Sequence, residues 1–130
     1  MIPDAEDAAR TWARANVPAV GGRVFFGVPA GTPTFPLLTV SRISGLTDAG
    51  PAIDYPRLTW DVWGQNKKQA ADAMRELVDQ LRQIRGVQLD PTTWCDEVVD
   101  IFTTWQPDNE AKLARYVVDA TLVVRSTVAV

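Results

Sequence analysis

The chain has 130 residues, a formal net charge of −3, one cysteine (Cys95) and no histidine. That length fits one compact domain over residues 1–130, able to bury about two-thirds of its unfolded surface without a disulfide or metal staple. Without histidine there is no Ser–His–Asp or Cys–His plan and no His-type zinc site, and one cysteine supports neither an internal disulfide nor C-x-x-C redox chemistry.

The balance of 13 basic against 16 acidic residues does not suggest a nucleic-acid binder, which carries a basic patch or stripe. No apolar run approaches the ~20 residues of a membrane span. The N-terminus is acidic where a secretory signal is basic and then apolar. The chain reads as soluble and kept in a reducing compartment, with no membrane partner.

A short helix is expected from Asp4 to Asn16. Asp4 suits the N-cap, Glu6 and Asp7 suit the positive end of the helix dipole, and Ala8, Ala9, Trp12 and Ala13 form one apolar side. Pro18 and Gly21-Gly22 end it. Arg23 to Phe26 is a short strand candidate. Residues 27–36 carry three prolines and two glycines, which forbids regular structure. Leu37 to Ile43 reads as a second strand, and Ser44 to Pro56, with Gly45, Gly50, Pro51 and Pro56, as a second loop.

From Arg57 to Trp63 the side chains alternate. Leu58, Trp60 and Val62 point one way, and Arg57, Thr59, Asp61 and Trp63 point the other. A helix is expected from Lys67 to Arg85. Ala70, Met74, Leu77, Val78, Leu81 and Ile84 make its stripe, Lys68, Asp72, Arg75, Glu76, Asp79 and Arg82 its opposite side. Asn66 and Gln69 resemble a capping box, and Gly86 suits the C′ position.

Val87 to Leu89 can pair briefly before a turn at Asp90-Pro91. Val98 to Trp105 is a strand in which Val98-Val99 and Ile101-Phe102 break the alternation, through burial on both faces or through a bulge. After a turn at 106–109, the last strand runs from Ala114 to Ser126. It carries Tyr116, Val118, Ala120, Leu122 and Val124 on one face and Arg115, Asp119, Thr121 and Arg125 on the other. The expected fold is α+β: a mainly antiparallel or mixed sheet of four to five strands, with the long amphipathic helix and the short N-terminal helix on one side.

Candidate chemistry is sparse. Asp96, Glu97 and Asp100 lie close together, as do Asp4, Glu6 and Asp7. Paired catalytic carboxylates must face each other across a cleft, about 5–10 Å apart, so solvated or helix-start charge is the plainer reading. The glycines at 27 and 31, and at 45 and 50, lack the phosphate-loop and dinucleotide patterns. Cys95 has no histidine to activate it, and Asp96 and Glu97 disfavour a thiolate. Trp12 and Trp60 suit the core. Trp63 stands on a polar face and Trp105 ends a strand, so each is covered either by its own chain or by a partner. The two irregular loops carry no reactive set, which favours binding over catalysis.

Arg23-Val24-Phe25-Phe26-Gly27-Val28-Pro29, then a proline-rich loop ending Phe35-Pro36-Leu37-Leu38, then Leu58-Thr59-Trp60-Asp61-Val62-Trp63-Gly64 running into an Ala-rich helix, resembles the tail terminator (tail completion) proteins of long-tailed bacteriophages. The closing Arg115-Tyr116-Val117-Val118-Asp119-Ala120-Thr121-Leu122 strand fits the same pattern. The resemblance implies a hexameric ring of this chain at the head–tail junction of a virion, assembled in the host cytoplasm. It implies contacts with the tail tube protein and a head-completion or neck protein, DNA passing through without specific binding, and no cofactor.

A ring contact is heterologous, one surface meeting a different surface of the next copy. Pro29, Thr32, Phe35, Leu46, Tyr55, Arg57, Asp61, Trp63, Arg115, Asp119 and Arg125 are the expected interface residues. Three other readings stay open: a head-closure or neck connector, a bacterial protein-binding module, and a carboxylate or metal-dependent hydrolase using Asp96, Glu97 or Asp100.

Overall fold

A computed structural model describes residues 2–47 and 52–127. Two helices and six strands follow in the order α1 (Ala5–Asn16), β1 (Val24–Phe25), β2 (Leu37–Leu46), β3 (Ile53–Gly64), α2 (Lys67–Leu81), β4 (Val87–Asp90), β5 (Thr93–Trp105) and β6 (Ala114–Ser126), with a 3-10 turn at Pro18–Val20 after α1. They form one sheet in the order β1-β2-β3-β6-β5-β4. Every pairing is antiparallel except β1 with β2, which is parallel. The sheet is therefore mixed and α+β as expected, with six strands where four to five were expected.

Both helices pack on one face of the sheet. Trp12 of α1 meets Trp60 of β3 edge to face, ring centroids 6.0 Å apart. Leu77, Val78 and Leu81 of α2 join the same cluster as Leu58, Val62, Val118, Ala120 and Leu122. α1 reaches β1 and β2 on one side and β4 on the other, so the sheet curls around it. Among the described residues, no helix is long and apolar enough to cross a membrane.

The helix starts follow the expected chemistry. Asp4 accepts from the Asp7 N–H at 3.1 Å, and Asn66 accepts from the Gln69 N–H at 2.9 Å. The Gln69 side chain reaches back one residue further than a capping box requires, accepting from the Gln65 N–H at 2.8 Å. α2 ends at Leu81, four residues before the expected Arg85. Beyond Arg82 the hydrogen bonds shorten to three-residue turns, from Gln83 N–H to Gln80 and from Ile84 N–H to Leu81. Ile84 stays buried. Gly86, at φ 71°, turns the chain into β4 and is not the C′ residue of α2.

The expected loop at 44–56 is a second correction. β2 and β3 continue through it, with Ser44 opposite Arg57 and Leu46 opposite Tyr55. A bulge between Arg42 and Ser44 absorbs one extra residue, and Gly45 at φ 126° supplies a conformation closed to other residues. Arg42 holds this bend: its guanidinium grips both carboxylate oxygens of buried Asp54 and donates to the Ser44 and Gly45 carbonyls. Turn-forming glycine and proline thus sit inside a strand pair because a bulge uses them. Gly50 and Pro51 lie outside the described residues.

Candidate functional site

The face of the sheet away from the helices is buried at Leu37, Thr39 and Trp63 and half-buried or exposed elsewhere. Four rows cross it, read from the strand registers: Leu37, Trp63, Arg115; Thr39, Asp61, Val117, Thr104; Ser41, Thr59, Asp119, Phe102; and Ser44, Arg57, Thr121, Val99. Leu46 beside Tyr55, and Arg125 opposite Ile53, extend it. Eight of the eleven expected interface residues therefore share one surface: Leu46, Tyr55, Arg57, Asp61, Trp63, Arg115, Asp119 and Arg125. Pro29, Thr32 and Phe35 lie apart on the irregular segment before β2. Thr32 is exposed, Pro29 and Phe35 are half-buried, and the Phe35 carbonyl accepts from Gln69 Nε2 at 3.5 Å.

Trp63 is already covered by its own chain. It is 7% exposed, its indole N–H donates to Thr39 Oγ1 at 3.2 Å, and the Arg115 guanidinium lies 4.9 Å from its ring centroid. It offers a partner little area and serves instead to hold Arg115. Leu46, by contrast, is 59% exposed.

Charges on this face are tied locally. Arg115 Nη1 stands 4.0 Å from Asp61 Oδ2, its Nε donates to the Gln106 carbonyl at 2.8 Å, and the Thr59 hydroxyl donates to Asp119. Burial pushes the Asp61 carboxyl above its ordinary range. Arg115 opposes that shift and the Asp119 charge adds to it.

The strand β5 departs most from the sequence reading. It begins at Thr93, five residues earlier than expected, and its register against β6 shifts twice, between Cys95 and Glu97 and between Val99 and Phe102. Asp100, at φ 54°, sits inside the second shift. The broken alternation between the pairs Val98-Val99 and Ile101-Phe102 is thus the second of these bulges. Val99, Phe102 (55% exposed) and Trp105 are left at the surface. The Arg57 guanidinium lies 5.9 Å from the Phe102 ring and Lys67 Nζ 4.7 Å from the Trp105 ring, both within cation–π reach. These three were not among the expected interface positions; the doubled apolar pairs were the signal for Val99 and Phe102, and the strand-end place of Trp105 the signal for it.

The carboxylates of β5 do not make a catalytic set. Asp96 pairs with Arg125 at 3.1 Å and accepts from the Trp94 indole at 3.0 Å, while Glu97 pairs with Arg85, which lowers its carboxyl below the usual range. Among the described residues, no group of three or more Asp, Glu or Cys side chains is placed to hold a metal ion. Cys95 is buried, and burial pushes its thiol up to about 11; the hydrogen bond to the Glu97 carbonyl opposes this, and the charges of Asp96 and Glu97 add smaller upward shifts.

Exposed large apolar side chains gather at the two margins of the sheet. Phe26, Val28, Ile43 and Leu46 lie on or beside β1 and β2, with Ile2 before α1; Val99, Phe102 and Trp105 lie on β5.

No family model and no curated protein matches this sequence. Among solved structures, a chain from the virion of a native gene transfer agent particle has a similar fold. Its TM-score is 0.55 at 14% identity, covering 93% of this chain and 92% of that chain. At that identity the likeness is one of fold.

Proposed function

We propose that this chain is a virion structural protein that forms a ring on the end of a tail tube, stops tube growth and offers the joint to the head. The observation that carries the reading is the fold shared, over nearly the whole length of both chains, with a protein of a virion. The sequence layout that resembles tail terminators points the same way. So do the two apolar margins, since a ring joins one surface to a different one on the next copy.

In this reading the ring is a hexamer, and the sheet face bearing Arg57, Asp61, Arg115, Asp119 and Arg125 meets the tube or a neck protein. The reading assigns the chain no reaction and no cofactor; DNA passes through the ring without specific contacts.

The test is tail length. Particles made without this chain should carry overlong tubes or tubes that fail to join heads. Tubes of normal length that still join heads would rule the role out. Binding of the purified chain to portal-bearing heads but not to tube ends would move it to the head-closure position.

A further inference from the structure

We propose that neighbouring copies are joined by strand addition: the segment Phe26–Thr34 of one copy lies along the free edge of β5 in the next. The inference rests on the ring reading above and names its joint.

β4 covers β5 only as far as Cys95. Among the described residues, no strand pairs with the outer side of β5 beyond that point. The Gln106 N–H donates to the Arg115 carbonyl, toward β6. Alternation along the strand then turns the N–H groups of Thr103 and Trp105 outward, ready to bond another chain. Beside this edge runs a groove of about 330 Å³ between α2 and β5, lined by Met74, Val78, Arg82 and Thr103 among others. A free edge flanked by a side-chain pocket is the arrangement that accepts an added strand.

The segment that fits it lies at the other margin. Among the described residues, the backbone of 26–34 belongs to no strand or helix and forms no hydrogen bond with other backbone. Phe26 and Val28 are both exposed. Two residues apart, they project to the same side of an extended chain and can enter the groove together.

Level and direction also agree. Phe25 lies beside Thr39, and the row runs on through Asp61 and Val117 to Thr104, so the two parts stand at the same height on the sheet. The pairings make β1 antiparallel to β5. Rotation about an axis along the strands preserves direction, so the next copy presents its segment to β5 antiparallel.

The test mixes two single-substitution variants, Phe26→Cys and Thr103→Cys, which the level of Phe25 with Thr104 sets opposite each other, under mild oxidation; native Cys95 is buried. The mixture should give a disulfide-linked dimer of one variant with the other, and neither variant alone should. A closed oligomer that forms without this cross-link, or Phe26→Cys cross-linking to itself as readily, overturns the joint and leaves the ring. A chain that stays monomeric at every concentration and on tube ends overturns both. Thr103→Pro removes an outward N–H that the sheet's own ladder does not use, and proline is tolerated at such edge positions. It should raise the concentration needed for assembly at least about tenfold relative to Thr103→Val, with the circular dichroism unchanged. Equal assembly by the two folded variants overturns the proposal.

Discussion

The ion pair of Arg42 with Asp54 gives the sharpest energetic prediction. The Asp54 side chain is fully buried and that of Arg42 is 23% exposed. The carboxylate takes both guanidinium contacts and the Tyr55 N–H at 2.9 Å. Removing one partner of a fully buried pair costs about 3–5 kcal/mol, most of it the penalty of an uncompensated buried charge. Because Arg42 keeps some water, Arg42→Met should cost about 2–4 kcal/mol. Asp54→Leu strands only the cation, which keeps some contact with water, and should cost about 1–2 kcal/mol. The double variant removes both charges and should fall within about 1 kcal/mol of the parent, since apolar replacements of buried pairs are often neutral. Against a typical total of about 5–15 kcal/mol, the first loss is large. Urea denaturation followed by tryptophan fluorescence, at a concentration where the chain is monomeric, reads all three, and a double-mutant cycle gives the coupling. A double variant that loses the sum of the two single losses refutes the argument, because the charges would then act independently.

Three further outcomes follow from other residues. Gly45→Ala places a Cβ 2.2 Å from the Tyr55 carbonyl at a φ of +126°; it should lower the melting temperature by several degrees, at a cost of about 1–3 kcal/mol, and no loss would mean that the hairpin bends otherwise. Cys95, buried with its thiol near 11, should resist alkylation by iodoacetamide at pH 8 until urea unfolds the chain, and rapid labelling of the folded protein would contradict its placement. Asp61 has a raised carboxyl in the fold, so its ionisation opposes folding. That opposition is absent below the unfolded-state value of about 3.9 and develops as pH rises through the raised one. Asp61→Asn should therefore stabilise the chain at pH 7, with the gain shrinking toward pH 4; a loss of stability at pH 7 would mean that attraction to Arg115 outweighs burial.

The elements were legible in the sequence where a single period ran unbroken. The stripe of α2, the caps Asp4 and Asn66, and the alternation of β3 and β6 each state their structure locally. The alternation also put Arg57, Asp61, Arg115, Asp119 and Arg125 on one face, and the structure gathers them there. What was not legible depended on register. Gly45 and Pro56 read as a loop because turn residues and bulge residues are the same residues. The surface of β5 was hidden for the same reason: an apolar pair such as Ile101-Phe102 does not reveal which member the partner strand leaves outside. Trp63 shows the converse, an aromatic on a polar face that an intrachain hydrogen bond and Arg115 already occupy.

The second register shift in β5, between Val99 and Phe102, works as an expansion joint. On one side of it the strand is fixed by the interior, with Cys95 and Val98 packed against the core. On the other, Phe102 to Trp105 form a rim exposed to whatever lies outside. Because the pleat restarts at Asp100, a residue gained or lost there is taken up locally and does not turn the interior side chains over. The rim can thus be recut to a new neighbour while the core keeps its frame, which lets very different sequences carry one fold.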